Sequence, residues 1–189
     1  MTHTLLLDMD GPLADFDRHF YRRCSERGYT FDVDGPEYQQ HRYFTEHLPN
    51  PSERKQARRM VDTAGWFAEL PVVPGAQQGV LDLLNAGVEV WVCTKPLEVN
   101  PTCHSDKANW ILRHFPPLHD RLIIAPDKSM IAGDVLLDDA PKHEWLDHAP
   151  WRPVIFAAPF NADQYPGCRR WTWGDPLDDL LAPARSENP

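Results

Sequence analysis

The sequence predicts an α/β protein built on a parallel β-sheet. Short apolar runs of strand length recur along the chain: Leu5–Leu7, Val88–Cys93, Leu122–Ile124, Val135–Leu137 and Pro153–Phe156. Stretches with helical spacing separate most of these runs. Strands separated by helices need crossover connections, which are right-handed and produce a parallel sheet. At 189 residues the chain is long enough for one well-buried core with a small inserted domain.

The first predicted strand, residues 4–8, lies almost at the N-terminus and is followed by a long helical stretch. Residues 14–73 show no convincing strand, so they predict a helical insertion. Its first helix is predicted from apolar residues that recur every four positions and end before Gly28: Phe16, Phe20 and Cys24. Ser52 is predicted to begin a second helix, whose apolar side is Ala57, Met60, Val61 and Ala64.

Strands and helices alternate after Pro74. Residues 76–85 predict a helix that ends at Gly87, and residues 88–93 predict the second strand. Ser105 is predicted to begin another helix, which the two prolines after Phe115 terminate. The predicted organisation is a catalytic core of residues 1–13 and 74–184, the insertion of residues 14–73, and a flexible tail of residues 185–189.

Composition and charge exclude several classes of function. The net charge of −9 argues against a nucleic-acid polymer or an anionic membrane as partner, because both require a basic surface. No apolar run approaches the roughly 20 residues that span a bilayer, and the N-terminus lacks the layout of a secretion signal. The four cysteines form no C-x-x-C pair, so reduced thiols and a cytoplasmic location are expected.

Polar residues follow four of the predicted strands near their carboxyl ends: Asp8 with Asp10, then Thr94, Lys128, and Asp138 with Asp139. The carboxyl ends of parallel strands lie at one edge of the sheet, where open α/β proteins bind ligands. Clustered carboxylates repel one another unless a hard cation joins them, and Mg²⁺ suits a few carboxylates together with a substrate phosphate. The sequence therefore predicts a magnesium-dependent phosphoryl-transfer site.

This chemistry gives each polar residue a candidate role. Asp8 is placed to attack phosphorus, while Mg²⁺ and Lys128 offset the charge of the transferring oxygens. Asp10 is close enough in sequence to protonate the leaving oxygen and later to activate water. A calcium loop is the alternative for the D-x-D-G segment, but the further oxygen ligands and the glutamate it needs are absent downstream.

Four ordered motifs resemble those of the haloacid-dehalogenase-like phosphatase superfamily: Asp8-Met9-Asp10-Gly11, Thr94, Lys128 and Asp138-Asp139. The segments around them are similar to the 5′(3′)-deoxyribonucleotidases within that superfamily. These segments are Leu7–Phe16, Pro74-Gly75-Ala76, Val92–Pro96, Asp127-Lys128-Ser129 and Leu136–Asp139. The similarity extends from about residue 4 to about residue 141.

The resemblance implies a Rossmann-like core with a small helical cap after the first strand. It implies that Asp8 becomes an aspartyl-phosphate, that Asp10 is the general acid and base, and that Thr94 and Lys128 bind the phosphoryl oxygens. Mg²⁺ would be held by Asp8, the backbone carbonyl of Asp10 and Asp138, with Asp139 supporting. The implied substrate is a deoxyribonucleoside monophosphate, pyrimidine nucleotides included, and a homodimer is compatible with the family. The candidates for contacting the base are Phe16, Tyr43, Phe44, Trp66 and Phe67.

The sequence departs from the family pattern at positions that are not expected nucleophiles, acids or metal ligands. The family commonly has a small apolar residue at Pro12, serine at Lys95 and arginine at Ala140, and often arginine at Pro126. Lys95 and Ala140 are expected to border the substrate pocket. Lys95 is therefore a further candidate substrate-binding residue, and the nucleotide preference is open.

Other interpretations remain open at this stage. The substrate could be another small phosphate, such as a sugar phosphate, or the chain could be an idle metal-binding interaction domain. A second substrate in place of water would make the enzyme a phosphotransferase. Lys128 could be a surface lysine, Asp139 a helix N-cap, and Phe16 a residue of the insertion's own core. Cys93 is expected to be inert, because it lies within a buried strand.

Overall fold

A computed structural model describes residues 3–29, 31 and 44–182 of the chain. The six strands of that part are β1 (Thr4–Leu7), β2 (Glu89–Thr94), β3 (Leu122–Ile124), β4 (Val135–Asp138), β5 (Arg152–Phe156) and β6 (Arg169–Trp171). All pair in parallel, in the order β3–β2–β1–β4–β5–β6. This confirms the predicted α/β class with a parallel sheet.

Strand β1 lies at the centre of the sheet because its leucines are buried on both faces. Leu5 pairs with Val90 of β2 on one side and with Val135 of β4 on the other. Strands β2 and β3 follow one another on one side of β1, and strands β4, β5 and β6 follow one another on its other side. The order of the strands therefore reverses between β1 and β4, and this reversal opens a crevice at their carboxyl ends.

The described part of the chain has six α-helices: α1 (Phe16–Ser25), α2 (Pro51–Val61), α3 (Ala76–Asn85), α4 (Cys103–His114), α5 (His143–Leu146) and α6 (Leu177–Leu181), which follows the last strand. Two begin earlier than predicted. Asn50 is the N-cap of α2, where its side chain accepts a hydrogen bond from the Ser52 amide at 2.9 Å. Thr102, not Ser105, precedes α4. No helix of the described residues is long and apolar enough to cross a membrane.

The helices of the predicted insertion, α1 and α2, share a hydrophobic core with the sheet. Phe20 and Val61 belong to the same buried cluster as Val92 of β2 and Trp110 of α4. Asn100, in the loop before α4, donates hydrogen bonds to the carbonyls of Val61 and Thr63 at 2.8 and 2.7 Å. The division of the chain at residues 14–73 into cap and core stays a prediction, and the predicted tail lies outside the described residues.

Strand β6 was not predicted, because its three residues carry no apolar run. Arg169 and Arg170 are half-buried at the sheet edge, and Trp171 alone is fully buried. The Arg170 guanidinium instead donates hydrogen bonds to the side chain and the carbonyl of Asn161 at 2.6 and 2.9 Å. An edge strand held by such side-chain contacts lacks the pattern by which buried strands are predicted.

Candidate active site

Asp8 lies directly after β1, at the point where the strand order reverses. Its amide donates to the carbonyl of Leu137 at 2.9 Å, which continues the ladder with β4 and holds the residue at the mouth of the crevice. The Oδ1 atom of Asp8 accepts the Met9 amide at 2.8 Å and lies 2.7 Å from the Lys128 ammonium. No described residue donates a hydrogen bond to Oδ2, so this oxygen is the one available for chemistry.

Lys128 joins the carboxylates at the ends of β1 and β4. Its ammonium is buried and lies 2.7 Å from both Asp8 Oδ1 and Asp138 Oδ2. The Asp127 side chain accepts hydrogen bonds from Ser129 and so shapes the turn, while the Trp151 indole donates to the Lys128 carbonyl at 3.0 Å. Lys128 is therefore a buried, paired residue here, and the surface-lysine alternative is excluded.

Burial and neighbouring charges shift the pKa values of this group. Burial lowers the pKa of Lys128, but Asp138 and Asp8 more than offset it and hold that pKa above the ordinary value, so the side chain stays an ammonium. Burial raises the pKa of Asp8 to about 6, with Lys128 opposing the shift and Asp138 adding to it. Burial, then Asp138 and Asp8, raise the pKa of Asp139 well above its ordinary value. The site thus holds more carboxylates than its own cation neutralises.

Asp8, Asp138 and Asp139 fit a divalent metal ion. Each offers a carboxylate oxygen, and these atoms lie within 4.8 Å of one another. When all three are ionised, they exceed the one Lys128 ammonium by two negative charges, which one divalent cation balances. Hard carboxylate oxygens are the ligands that Mg²⁺ prefers. Asp139 does not begin the next helix, since Lys142 precedes α5, so its carboxylate is free for this role.

Gly11 provides the space for the Asp139 carboxylate. Its φ is +102°, a conformation that favours glycine, and a Cβ at this position would lie 2.3 Å from Asp139 Oδ2. The glycine of the D-x-D-G segment therefore serves both the turn and the close approach of a candidate metal ligand.

Lys107 organises the second carboxylate of the segment, Asp10. Its buried ammonium donates to Asp10 Oδ2 at 2.6 Å, to Thr94 Oγ1 at 2.8 Å and to the Lys95 carbonyl at 2.8 Å. The ring of Phe67 lies 4.9 Å from the same nitrogen. Asp10 Oδ1 is buried without a hydrogen-bond partner. One oxygen of Asp10 is thus fixed by Lys107, and the other has no hydrogen-bond partner among the described residues.

Lys107 is a candidate site residue that the sequence-based prediction missed. The signal was its position on α4, where it shares the buried face with Cys103, Trp110 and Ile111 at helical spacing. A lysine among such residues must meet an anion or acceptor, since burying an unpaired ammonium is costly.

A cavity of about 670 Å³ extends from these residues. Asp8, Asp10, Thr94, Lys128, Asp138 and Asp139 all line it, so the structure brings the predicted polar residues together. Its apolar wall contains Phe16, which was predicted, and Phe156 and Phe160, which were not. Lys95, Ala140, Lys142 and Trp145 line another part of its wall.

The other predicted aromatic residues lie elsewhere. Trp66 and Phe67 are buried in the hydrophobic core, with ring centroids 5.9 and 6.3 Å from that of Phe16, and neither is among the residues lining the cavity. Both rings pack against Phe16, and Phe67 also contacts the Lys107 ammonium. Tyr43 and the side chain of Phe44 lie outside the described residues.

Comparisons with known proteins identify the family of the chain. The model of the family described as "5′ nucleotidase, deoxy (Pyrimidine), cytosolic type C protein" matches residues 2–186. A Bordetella pertussis protein that carries the 5′(3′)-deoxyribonucleotidase family name is 34% identical over 164 residues, 85% of this chain and 86% of its own. The human cytosolic-type 5′(3′)-deoxyribonucleotidase is 28% identical over 191 residues, covering 94% of this chain and 92% of its own.

Solved structures share the fold at low sequence identity. A haloacid-dehalogenase-type hydrolase of Entamoeba histolytica superposes with a TM-score of 0.52 and 12% identity, covering 96% of this chain and 98% of its own. CbbY of Rhodobacter sphaeroides superposes with a TM-score of 0.52 and 16% identity, covering 95% and 99%. The family model and the relatives lead to one conclusion: the chain belongs to the 5′(3′)-deoxyribonucleotidase family, and it shares its fold with haloacid-dehalogenase-like hydrolases.

Proposed function

We propose that the protein is a Mg²⁺-dependent 5′(3′)-deoxyribonucleotidase of the cytoplasm that hydrolyses pyrimidine deoxyribonucleoside monophosphates through an aspartyl-phosphate. The observation that carries the proposal is the geometry around Asp8. One of its oxygens is held by Lys128 and a backbone amide, and Asp8 lines the cavity together with Asp10, which has an unpartnered oxygen. A nucleophile, an acid–base group and a cation thus lie in one cavity.

In the first proposed step, Asp8 Oδ2 attacks the phosphorus of the substrate. The new P–O bond forms as the ester P–O bond breaks, and Asp10 Oδ1 delivers a proton to the departing nucleoside oxygen. The Lys128 ammonium and the Thr94 hydroxyl are placed to stabilise the charge on the phosphoryl oxygens. Lys107 holds the side chains of Asp10 and Thr94 in position, because its ammonium donates hydrogen bonds to both and to the Lys95 carbonyl.

In the second step, water attacks the phosphorus of the aspartyl-phosphate. Asp10 Oδ1 accepts a proton from the water, the P–O bond to Asp8 breaks, and inorganic phosphate leaves with Asp8 restored. Asp8, Asp138 and Asp139 are the side chains that would hold Mg²⁺, which when bound neutralises charge on the phosphoryl group. The nucleoside leaves in the first step, before water enters. Asp10 therefore donates a proton in the first step and accepts one in the second.

The apolar wall supports a nucleoside as the leaving group. Phe16, Phe156 and Phe160 line the same cavity as Asp8 and offer aromatic surface for a base. A sugar phosphate has no aromatic part to cover these rings, which makes it the weaker candidate.

The test is phosphate release in the presence of Mg²⁺ from 5′- and 3′-deoxynucleotides, ribonucleotides, sugar phosphates and an aryl phosphate. We expect dUMP or dTMP to give the highest kcat/KM, and Asp8→Asn to abolish turnover. Asp163→Asn is the matched control, because Asp163 is an exposed aspartate that is not among the residues lining the cavity. Turnover of the aryl phosphate without any nucleotide would reject the substrate assignment, and full activity in Asp8→Asn would reject the nucleophile.

A further inference from the structure

Two lysines flank one indole ring in the wall of the active-site cavity. Lys95 follows β2 directly after Thr94, and Lys142 lies in the loop before α5; both line the cavity. The Lys95 and Lys142 ammonium nitrogens lie 5.8 and 5.1 Å from the centroid of the Trp145 ring. Two ammonium groups therefore contact the same indole ring in the cavity wall.

Lys95 is the cavity lysine whose charge remains available. Lys128 is paired with two carboxylates, whereas no described carboxylate lies within ion-pair distance of Lys95. Lys142 contacts Glu144 at 3.2 Å, but that pair is exposed and contributes little. Burial, then Lys142 and Lys128, lower the pKa of Lys95, while Asp138 and Asp8 oppose the shift.

The cavity wall also contains acidic residues outside the phosphoryl site. Asp15 and Asp17 line it where α1 begins, and burial, followed by Asp15 and Asp10, raises the pKa of Asp17 to about 7. Where these carboxyl groups are ionised, they repel an anionic group beside them. Among the residues that line the cavity, the cationic side chains other than Lys128 are Lys95 and Lys142, so a second anionic group of a substrate is favoured beside these two lysines.

The cavity wall next to the candidate metal ligands contains a small residue. Ala140 is the residue between Asp139 and Pro141 that faces the cavity, and its methyl side chain occupies little space. The volume of about 670 Å³ lies within the range of pockets that enclose whole small molecules.

We propose that Lys95 and Lys142 form a second anion subsite, so that the preferred substrate carries a second phosphate: a deoxyribonucleoside 3′,5′-bisphosphate, of which one phosphate is cleaved while the other is held at the lysines. The choice of a nucleoside rests on the proposed function. The subsite itself rests on the two lysines, their shared ring and the charge distribution of the cavity.

The test compares initial rates for matched pairs of substrates. The first pair is thymidine 5′-monophosphate and thymidine 3′,5′-bisphosphate; the second is fructose 6-phosphate and fructose 1,6-bisphosphate. We expect kcat/KM for the thymidine bisphosphate to exceed that for the monophosphate by about tenfold, as one hydrogen-bonded charge contact provides. Lys95→Met and Lys142→Met should each reduce this ratio towards one. Lys55→Met, an exposed lysine of α2, should leave it unchanged.

The outcomes separate this inference from the proposed function. A bisphosphate-to-monophosphate ratio of one or less in the unaltered enzyme overturns the subsite, even if nucleotides are hydrolysed well. A ratio that neither lysine variant changes also overturns it. A preference confined to the sugar pair, lost in both variants, supports the subsite and rejects the nucleotide assignment.

Discussion

Substitution of Lys107 by methionine removes the ammonium that joins Asp10, Thr94 and the Lys95 carbonyl. Loss of one partner of a buried ion pair costs about 3–5 kcal/mol, because the other charge is left uncompensated. The Lys107 side chain is 1% exposed and that of Asp10 31% exposed, so water relieves part of the loss and the lower figure of about 3 kcal/mol applies. For a chain of this length, each kcal/mol lowers the Tm by about 2–4 °C, which predicts a decrease of about 6–12 °C.

Thermal unfolding followed by circular dichroism measures this decrease, with Lys55→Met as the control. Lys55 is exposed on α2, and its replacement should change stability by less than about 0.5 kcal/mol. Lys107→Met combined with Asp10→Asn should lose less than the two single changes added, because the second change removes the orphaned charge. We also expect kcat to fall about 100-fold through misplacement of Asp10. A Tm equal to that of the unaltered protein, or strictly additive single and double variants, refutes the reasoning.

Three further predictions concern other parts of the molecule. Gly11→Ala should abolish most activity, since its Cβ would displace the Asp139 carboxylate. Gly28 is the control, because it also has a positive φ but a Cβ there would meet no atom within 4 Å. Gly28→Ala should cost only about 1 kcal/mol of backbone strain and retain kcat/KM. Burial, with nearby arginines, lowers the pKa of His19 from 6.5 to about 4. The unfolded chain therefore binds the His19 proton more tightly than the folded protein, so stability should fall as the pH drops from about 6.5 to about 4. The Tm of His19→Phe should fall less steeply over this pH range. Equal slopes of Tm against pH in the two proteins contradict this. Burial raises the pKa of Cys93 to about 12, so iodoacetamide at pH 8 should modify it only after denaturation, as mass spectrometry of the peptide would show.

The sheet and the position of the polar cluster could be predicted because both depend on short-range patterns. The three consecutive leucines of Leu5–Leu7 are typical of a strand buried on both faces. The carboxyl ends of parallel strands lie at one edge of the sheet whatever the details of side-chain packing. Asp8, Thr94 and Lys128 therefore line one cavity in the structure, as the order of strands implied. Their catalytic roles stay predictions.

The contacts that complete the site depend on tertiary packing, which sequence patterns do not contain. Lys107 is 97 positions from Asp10, and only the docking of α4 brings its ammonium within 2.6 Å of that carboxylate. Phe156 and Phe160 reach the cavity from the end of β5, while Trp66 has the same aromatic character but faces the core. A one-dimensional pattern shows that a ring is present, whereas the path of the backbone decides which way it points.

The central claim is that Asp8 carries the phosphoryl group between two steps. The most direct measurement is a rapid acid quench of the enzyme with Mg²⁺ and dUMP, followed by borohydride reduction and mass spectrometry of the N-terminal peptide. The account predicts conversion of the Asp8 side chain to a reduced alcohol that depends on substrate, and its absence in Asp8→Asn. Reduction at another residue, or none during active turnover despite efficient trapping of a control acyl phosphate, would contradict the account.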